Sequence, residues 1–235
     1  MKKDDNNRVE LMGKITGNFV FLYKREGTRY YKSHIQIEKK KGTRDIIPIV
    51  VPEELFEKNS IKKASKGKYV KCSGQFKSHN IYTYKEDTKP NDINNKSVNE
   101  KEKTNNVKDF QLWLYVFITE IHILEKEEGQ NDIWLEGVLC KNPICKNVKG
   151  SKTCNLVYIL LKVKNENEHA DYIPCVAWYQ DARFLSHLKA YDDIKLRGRG
   201  RIQSKQFFRK EDNDWITLCE VSLRKVRCAE REDEE

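Results

Sequence analysis

The chain has 235 residues, and 45 lysines and arginines against 36 aspartates and glutamates give it a formal net charge of +9. Hydrophobic residues make up 38% of the sequence, enough for buried cores, but no run approaches the roughly 18 consecutive apolar residues of a membrane span. The N-terminal sequence MKKDDNNRVE has no apolar stretch behind its lysines, so no signal peptide is expected, and the basic balance favours a polyanionic partner, either a nucleic acid or an acidic membrane surface.

The first half of the chain predicts five strands and one helix. Alternation of apolar and polar residues places the strands near 8–15, 28–38, 44–51, 68–77 and 110–124, and the helix near 53–63. The segment 84–109 is polar, rich in Asn and Lys, and expected to be disordered. Because the strand near 110–124 is needed to close the first domain, we interpret this segment as a long loop within that domain.

The second half predicts the same order of elements. Its strands lie near 132–141, 154–163, 171–178, 193–203 and 215–226, and its helix lies near 180–188. Residues 142–152 contain Pro143 and Gly150 and are predicted to form the loop after the first strand.

Matched segments indicate that the two halves are copies of one domain. Two pairs recur at an offset of 126 residues: DIIPIVV and DYIPCVAW, beginning at Asp45 and Asp171, and GQFKS and GRIQS, beginning at Gly74 and Gly200. A third pair, VELMGKI and IWLEGVL, aligns Gly13 with Gly137. Three stations in the same order predict two domains of roughly 110 residues each.

The element order predicts the fold class. Five short strands with one helix between the third and fourth is the order of the OB-fold, which binds oligonucleotides on its strand 2–3 face and in its 1–2 and 4–5 loops. We therefore predict an all-β chain with one short helix per domain, built as two tandem five-stranded Greek-key barrels. The predicted domains are 1–126, which includes the disordered loop at 84–109, and 127–228, followed by an acidic tail at 229–235.

Four stations of the second copy carry a family resemblance: Val138, YIPCVAW at 172–178, ARF at 182–184 and GRIQS at 200–204. They resemble the bacterial and phage single-stranded DNA-binding protein (SSB) family, in which strand 3 runs aromatic-x-x-V-x-x-aromatic into a short helix. Strand 4 of that family runs V-x-G-x-I/L-x-S/T-R/K and is followed by an aromatic residue. The resemblance implies a tandem, two-barrel member of the family.

The resemblance also implies which residues stack on bases. The stacking positions fall on Tyr172 and Trp178 in strand 3 and on Phe207 after strand 4. The corresponding residues of the first copy are not aromatic: Ile46, Pro52 and Ile81. We therefore expect DNA contact mainly from the second barrel, with secondary contacts in the first from Lys77, His79 and Tyr82.

The stretch KLRGRGRIQSKQFF, residues 195–208, predicts a cationic strip. On a strand, alternate residues face one side, so Arg197, Arg199 and Arg201 point together and the two glycines between them face a crowded barrel wall. Guanidinium groups that meet phosphates, beside an aromatic plane that meets a base, are typical of non-specific single-strand binding.

Further contacts are predicted around this strip. Phe207 and Phe208 are placed in the 4–5 loop, Lys205 beside the strip, and Lys141 and Lys152 in the 1–2 loop. Two alternatives stay open: the arginines pair with acidic residues such as Asp192, Asp193 or Glu220, and Tyr172 and Trp178 are ordinary core residues.

The seven cysteines and five histidines do not form a recognisable site. Cys140, Cys145 and Cys154 lack the C-x2-C spacing of a structural zinc site, so we expect no metal or other cofactor and reduced, mostly buried thiols. No phosphate-binding loop, nucleophile elbow or metal-protease motif occurs, so the chain is not expected to be an enzyme. The remaining enzyme alternative is an OB-type nuclease, and magnesium-dependent degradation of an oligonucleotide would support it.

Two functional hypotheses follow from the sequence. The first is sequence-independent binding and protection of single-stranded DNA in replication, recombination or repair, in the cytoplasm and at the nucleoid. The resemblance to two-barrel family members implies that two chains pair, as a homodimer with four barrels. The second is an interaction protein, of the primosome or phage accessory type, whose first barrel serves dimerisation or protein docking. The last residues of the sequence, REDEE, lack the Pro-Phe tip by which the SSB family recruits partners. The pattern does not distinguish DNA from RNA.

Overall fold

The computed structural model describes residues 6–39, 42–58, 61, 63, 65–84, 107–147, 154–165, 169–190, 194–209 and 214–229. The chain divides into two compact units, Met1–Lys77 with Leu114–Glu235 and Ser78–Trp113. Of the second unit, only the strand ends 78–84 and 107–113 are described. Apart from its two ends, the predicted loop at 84–109 lies outside the described residues, and so do residues 230–235 of the predicted tail at 229–235.

Two barrels follow one another along the chain, with β1–β6 in the first half and β7–β12 in the second. The first half contains β1 (Asn7–Ile15), β2 (Val20–Arg25), β3 (Thr28–Glu38), β4 (Arg44–Pro52), α1 (Glu54–Lys58), β5 (Tyr69–Tyr84) and β6 (Val107–Leu124). The second half contains β7 (Gln130–Leu139), β8 (Ile144–Lys146), β9 (Leu156–Lys164), β10 (Ala170–Trp178), α2 (Tyr179–Ser186), β11 (Lys195–Arg209) and β12 (Asp214–Cys228).

The strand pairing of each half confirms the predicted OB-fold. The first strand, β1, pairs antiparallel with both β3 and β5, and β7 pairs in the same way with β9 and β11. Each barrel closes through a parallel pair, β4 with β6 and β10 with β12, in which Ile49 lies opposite Val116 and Cys175 opposite Val221. The all-β prediction with one short helix per barrel is therefore confirmed.

The core of each barrel comes from alternate residues of its strands. Val9, Leu11 and Ile15 of β1 are fully buried, because successive side chains of a strand point to opposite faces. Cys72 and Cys219 are also buried, and burial raises the pKa of each thiol to about 12. These thiols therefore behave as small apolar core groups.

Glycines lie where the first strand of each barrel bends to pair with two neighbours. A Cβ added at Gly137 would lie 2.6 Å from the carbonyl oxygen of Lys162 and 3.0 Å from a methyl group of Val163. A Cβ at Gly13 would meet the carbonyl oxygen of Gln36, the residue that corresponds to Lys162 in the first barrel. The glycines that align the two copies in sequence therefore have one structural cause, which is close approach of the neighbouring backbone.

Gly137→Ala is expected to lower the free energy of unfolding by about 1–3 kcal/mol, because the added methyl group forces the β7 and β9 backbones apart. Urea denaturation measures the change, and Gly17→Ala is the control, since its nearest neighbour, Ser33 Oγ, would be 4.0 Å away. Equal midpoints for the two variants would contradict this explanation of the repeat.

The two barrels share one continuous sheet of twelve strands among the described residues. Strands β1 and β7 pair antiparallel across the junction, with Val9 opposite Ile133, Asn7 opposite Leu135 and Leu11 opposite Asn131. Val9 and Ile133 are equivalent positions in the two copies. The junction is therefore pseudo-symmetric about this pair, as the interface of an isologous dimer would be.

The structure adds to and corrects the predicted elements. The short strands β2 and β8, which lie in the 1–2 loops, were not predicted. Strands β5 and β11 run to Tyr84 and Arg209, beyond their predicted ends at 77 and 203. Phe207 and Phe208 consequently lie within β11 and not in a loop, because β11 and β12 stay paired as far as Arg209 and Asp214. Within the described residues, none of the helices has the length and apolar character needed to cross a membrane.

Candidate nucleic-acid interface

The strand 2–3 face of the second barrel carries exposed aromatic side chains. In β10, alternate residues such as Ile173 and Cys175 are buried, whereas Tyr172 and Trp178 are each 41% exposed. Tyr172 lies opposite Lys162 of β9, so the two side chains leave neighbouring positions on the same face of the sheet. The alternative that Tyr172 and Trp178 are ordinary core residues does not fit this exposure.

Tyr179 extends this surface and was missed by sequence analysis. It directly follows Trp178, is 68% exposed, and its ring centroid lies 6.3 Å from that of Trp178. Its φ of 52° is in the left-handed region, which is rare for a bulky residue and is often found at functional sites. The only signal in the sequence was its position next to Trp178, because the helix was predicted to begin one residue later.

The hairpin of β8 and β9 adds a second edge to the same face. Tyr158 of β9 lies opposite Ile144, which is 63% exposed, and opposite Val176 on the other side. The ammonium group of Lys146 lies 5.1 Å from the centroid of the Tyr158 ring. We name the set of Tyr158, Tyr172, Trp178 and Tyr179, with Lys146 and Lys162, the aromatic face.

Phe207 and Phe208 project from the arm that β11 and β12 form beyond the barrel. They are 50% and 46% exposed, and as neighbours on a strand they face opposite sides. Lys205 is on the same arm as Phe207 and lies 3.7 Å from Glu220 with most of its side chain exposed. The strand 4–5 arm therefore offers both rings and a cation, from a paired strand.

The predicted arginine strip faces carboxylates on neighbouring strands. Arg197 donates from Nε to Glu136 Oε2 at 2.6 Å, and Lys195 contacts the other oxygen of the same carboxylate. Burial alone would raise the pKa of Glu136, but the hydrogen bonds from Lys195 and Arg197 lower it below its ordinary value. The carboxylate is therefore ionised at neutral pH and offsets charge of the strip.

The middle arginine is held in the same way. Arg199 donates to Asp132 at 3.0 Å, and its guanidinium carbon lies 4.8 Å from the ring centroid of Trp134. Arg8 of the first barrel approaches the same ring at 5.5 Å. Trp134 is therefore covered by two guanidinium groups at the barrel junction, where it contributes cation–π contacts.

The third arginine reaches across to the first barrel. Arg201 lies 3.5 Å from Asp45 of β4, which is 1% exposed. The same carboxylate accepts hydrogen bonds from Lys39 at 2.9 Å and from the backbone N–H of Ser204 at 3.0 Å. The backbone N–H of Ile46 in turn donates to Ser204 Oγ at 2.7 Å. Asp45 thus joins β4 of one barrel to β11 of the other.

All three arginines therefore have carboxylate partners, and the ion-pair interpretation applies to the strip. The partners come from β7 and β4 and do not include Glu220, while Asp192 and Asp193 lie outside the described residues. The three arginine side chains nevertheless keep 40–46% of their surface exposed.

The remaining predicted contacts are scattered. Lys141 is exposed just after β7, and Lys152 lies outside the described residues. Lys77 is largely buried, 3.5 Å from Asp171 of the second barrel. His79 is exposed on β5 in the second compact unit, where the side chain of Tyr82 is not described. Among the described residues, no group of three or more His, Cys, Asp or Glu side chains is placed to hold a metal ion.

The fold matches solved structures at low sequence identity. The wild-type single-stranded DNA binding protein from Thermus aquaticus superposes with a TM-score of 0.66 and 16% identity, covering 97% of this chain and 95% of that one. A deletion variant of the same protein gives a TM-score of 0.65 and 16% identity over 97% and 96%. The chain has this two-barrel fold. The likeness agrees with the resemblance predicted from the second copy.

Other comparisons add no argument. The N-terminal domain of PriB protein from Thermoanaerobacter tencongensis covers 52% of this chain and 99% of its own at 21% identity, but its TM-score of 0.35 does not establish a shared fold. Neither the protein-family models nor the curated proteins give a match to this sequence.

Proposed function

We propose that the protein binds single-stranded DNA without sequence preference, through the aromatic face of the second barrel. The observation that carries the proposal is the exposure of Tyr172, Trp178 and Tyr179 on the strand 2–3 face of a basic protein. Rings exposed to water on a strand face are poor candidates for core packing and good platforms for bases, which all present a π-face. The likeness in fold to the Thermus aquaticus protein supports the same proposal.

The lysines of the aromatic face and of the strand 4–5 arm supply the cationic groove. Lys146 and Lys162 are exposed beside the rings, and Lys205 and Phe207 extend the path along the arm. We assign Lys141 of the 1–2 loop and Phe208 to the same path, and Lys152, which lies outside the described residues, is kept from the sequence prediction alone. The arginines at 197, 199 and 201 contribute through their exposed portions, while their carboxylate partners reduce the net potential there.

The biological setting is a finer part of the proposal. We infer a non-enzymatic coating role in replication, recombination or repair, carried out in the cytoplasm at the nucleoid by a homodimer with four barrels. The two domains in this proposal comprise residues 1–126 and 127–228. We also propose secondary DNA contacts from Lys77, His79 and Tyr82. Lys77 is the weakest of these candidates, because its ammonium group neighbours the carboxylate of Asp171.

Titration of the wild-type protein with oligo-dT tests the proposal. We expect quenching of tryptophan fluorescence and an affinity that falls about 50-fold between 50 and 200 mM salt if about four phosphates are neutralised. Double-stranded DNA of equal length and poly-U distinguish the ligand classes. Absence of binding to oligo-dT at low salt would overturn the proposal in favour of a protein-docking role for the first barrel.

A further inference from the structure

The outer face of the first barrel has a row of aromatic rings. The ring centroids of Tyr23 in β2 and Tyr30 in β3 are 4.7 Å apart with an interplanar angle of 26°, so the two rings are stacked. The ring of Phe117 in β6 continues the row, 6.0 Å from that of Tyr30. Tyr23 is 37% exposed, at the open end of the row.

Register shows that this row replaces an aromatic residue that the first barrel lacks. Pro52 occupies the position that Trp178 has in the second barrel, 126 residues further on. Tyr30 lies directly opposite Pro52, just as Leu156 lies opposite Trp178. Each barrel therefore has an aromatic ring at this level of the same face. In the second barrel it is Trp178 of β10, and in the first it is Tyr30 of β3, the strand that pairs with the equivalent of β10.

Exposed groups around this row suit a polyanion with flat bases. Val20 and Phe21 of β2 are 57% and 53% exposed, so the hairpin presents apolar surface to water. Lys32 lies opposite Val20 and is exposed on the same face as Tyr30, whereas Lys24, which pairs with Arg29, points to the other face of the hairpin.

Two further cations are exposed on the same hairpin. Arg25 lies 3.2 Å from Glu26, and Arg29 lies 4.0 Å from Glu53. Cations outnumber carboxylates on the β2–β3 hairpin, which favours an anionic ligand over a basic protein surface.

We propose that Tyr23 and Tyr30 form a nucleobase-binding site in the first barrel, separate from the aromatic face of the second. This inference rests on the proposed function, since the ligand is the same single strand continuing from one barrel to the other. The exposed face of the Tyr23 ring stacks on a base, Tyr30 holds that ring in place from behind, and Lys32, on the same face as Tyr30, meets a flanking phosphate. Both barrels then bind the strand, although their aromatic residues occur on different strands of the fold.

Oligonucleotide length separates the two sites experimentally. Oligo-dT of about 10 nucleotides spans roughly one barrel, and oligo-dT of about 35 nucleotides spans two. In Tyr23→Leu combined with Tyr30→Leu, we expect the affinity for the long strand to fall about 5- to 100-fold while the short strand, held by the second barrel, binds within about twofold of wild type. Tyr69→Leu, on β5 of the same barrel, is the matched control.

Photocrosslinking supplies a second readout that does not depend on affinity. Oligo-dT substituted with 5-iodouracil is expected to crosslink to peptides containing Tyr23 in the wild-type protein. The single variant Tyr23→Leu, at an exposed position, keeps the test valid if the double variant is less stable by urea denaturation.

The outcomes are distinct for the two proposals. Failure of the wild-type protein to bind either strand overturns the proposed function. Normal binding of the long strand by both Tyr23 variants, with no crosslink at Tyr23, overturns this inference alone.

Discussion

Trp178→Ala is expected to weaken binding of oligo-dT by about 5- to 150-fold, which corresponds to the roughly 1–3 kcal/mol of one stacked base. Trp178 is 41% exposed at the end of β10, so its removal leaves no large cavity in the barrel. We therefore expect the free energy of unfolding to change by less than about 1 kcal/mol. The loss of affinity would then report on the ligand and not on the fold.

Anisotropy of a fluorescein-labelled oligo-dT is the appropriate measurement, because the substitution itself removes a fluorophore. Trp178→Phe retains a ring and is expected to recover most of the affinity. Tyr179→Ala tests the neighbouring ring, for which we expect a smaller loss. Wild-type affinity in Trp178→Ala, with Trp178→Phe indistinguishable from it, would remove Trp178 from the interface.

Asp45→Ala is expected to lower the free energy of unfolding by about 3 kcal/mol, because a buried carboxylate with several partners is removed. The carboxylate is 1% exposed and accepts from Lys39 and from the backbone N–H of Ser204, with Arg201 at 3.5 Å. Without it the N–H of Ser204 loses its acceptor at the junction of the barrels.

Two further variants define what Asp45 contributes. Asp45→Asn keeps an acceptor for the Ser204 N–H and removes the charge, so an intermediate loss of stability is expected in urea denaturation. Glu38→Ala removes an exposed carboxylate at the end of β3, close to Asp45 in the pairing, and is expected to change stability by less than about 0.5 kcal/mol. Similar values for Asp45→Ala and Glu38→Ala would show that the junction does not depend on this residue.

Much of the fold was predictable because its cause is local and periodic. Alternation in β1 and β9 follows directly from burial of one strand face, as Val9, Leu11 and Ile15 illustrate. The aligned glycines, Gly13 and Gly137, mark equivalent points where neighbouring backbones approach, and that requirement leaves the same residue in both copies.

The extra strands and the longer arms were not predictable from alternation. None of the residues from Val20 to Arg25 in β2 is buried, and the end of β11 is exposed on both faces around Phe207 and Phe208. Pairing there depends on the facing strand and not on a buried side, so no periodic signal marks it.

The sequence by itself determined the two copies, the OB-fold and the aromatic residues of β10 that form the candidate site. Tertiary structure alone decided the partners of the arginine strip and the position of Tyr30 opposite Pro52. Arg201 and Asp45 are 156 residues apart along the chain, and their contact exists because β1 and β7 join the barrels. Local periodicity reports which face of a strand is buried, whereas charge partners and cross-strand neighbours depend on which strands meet.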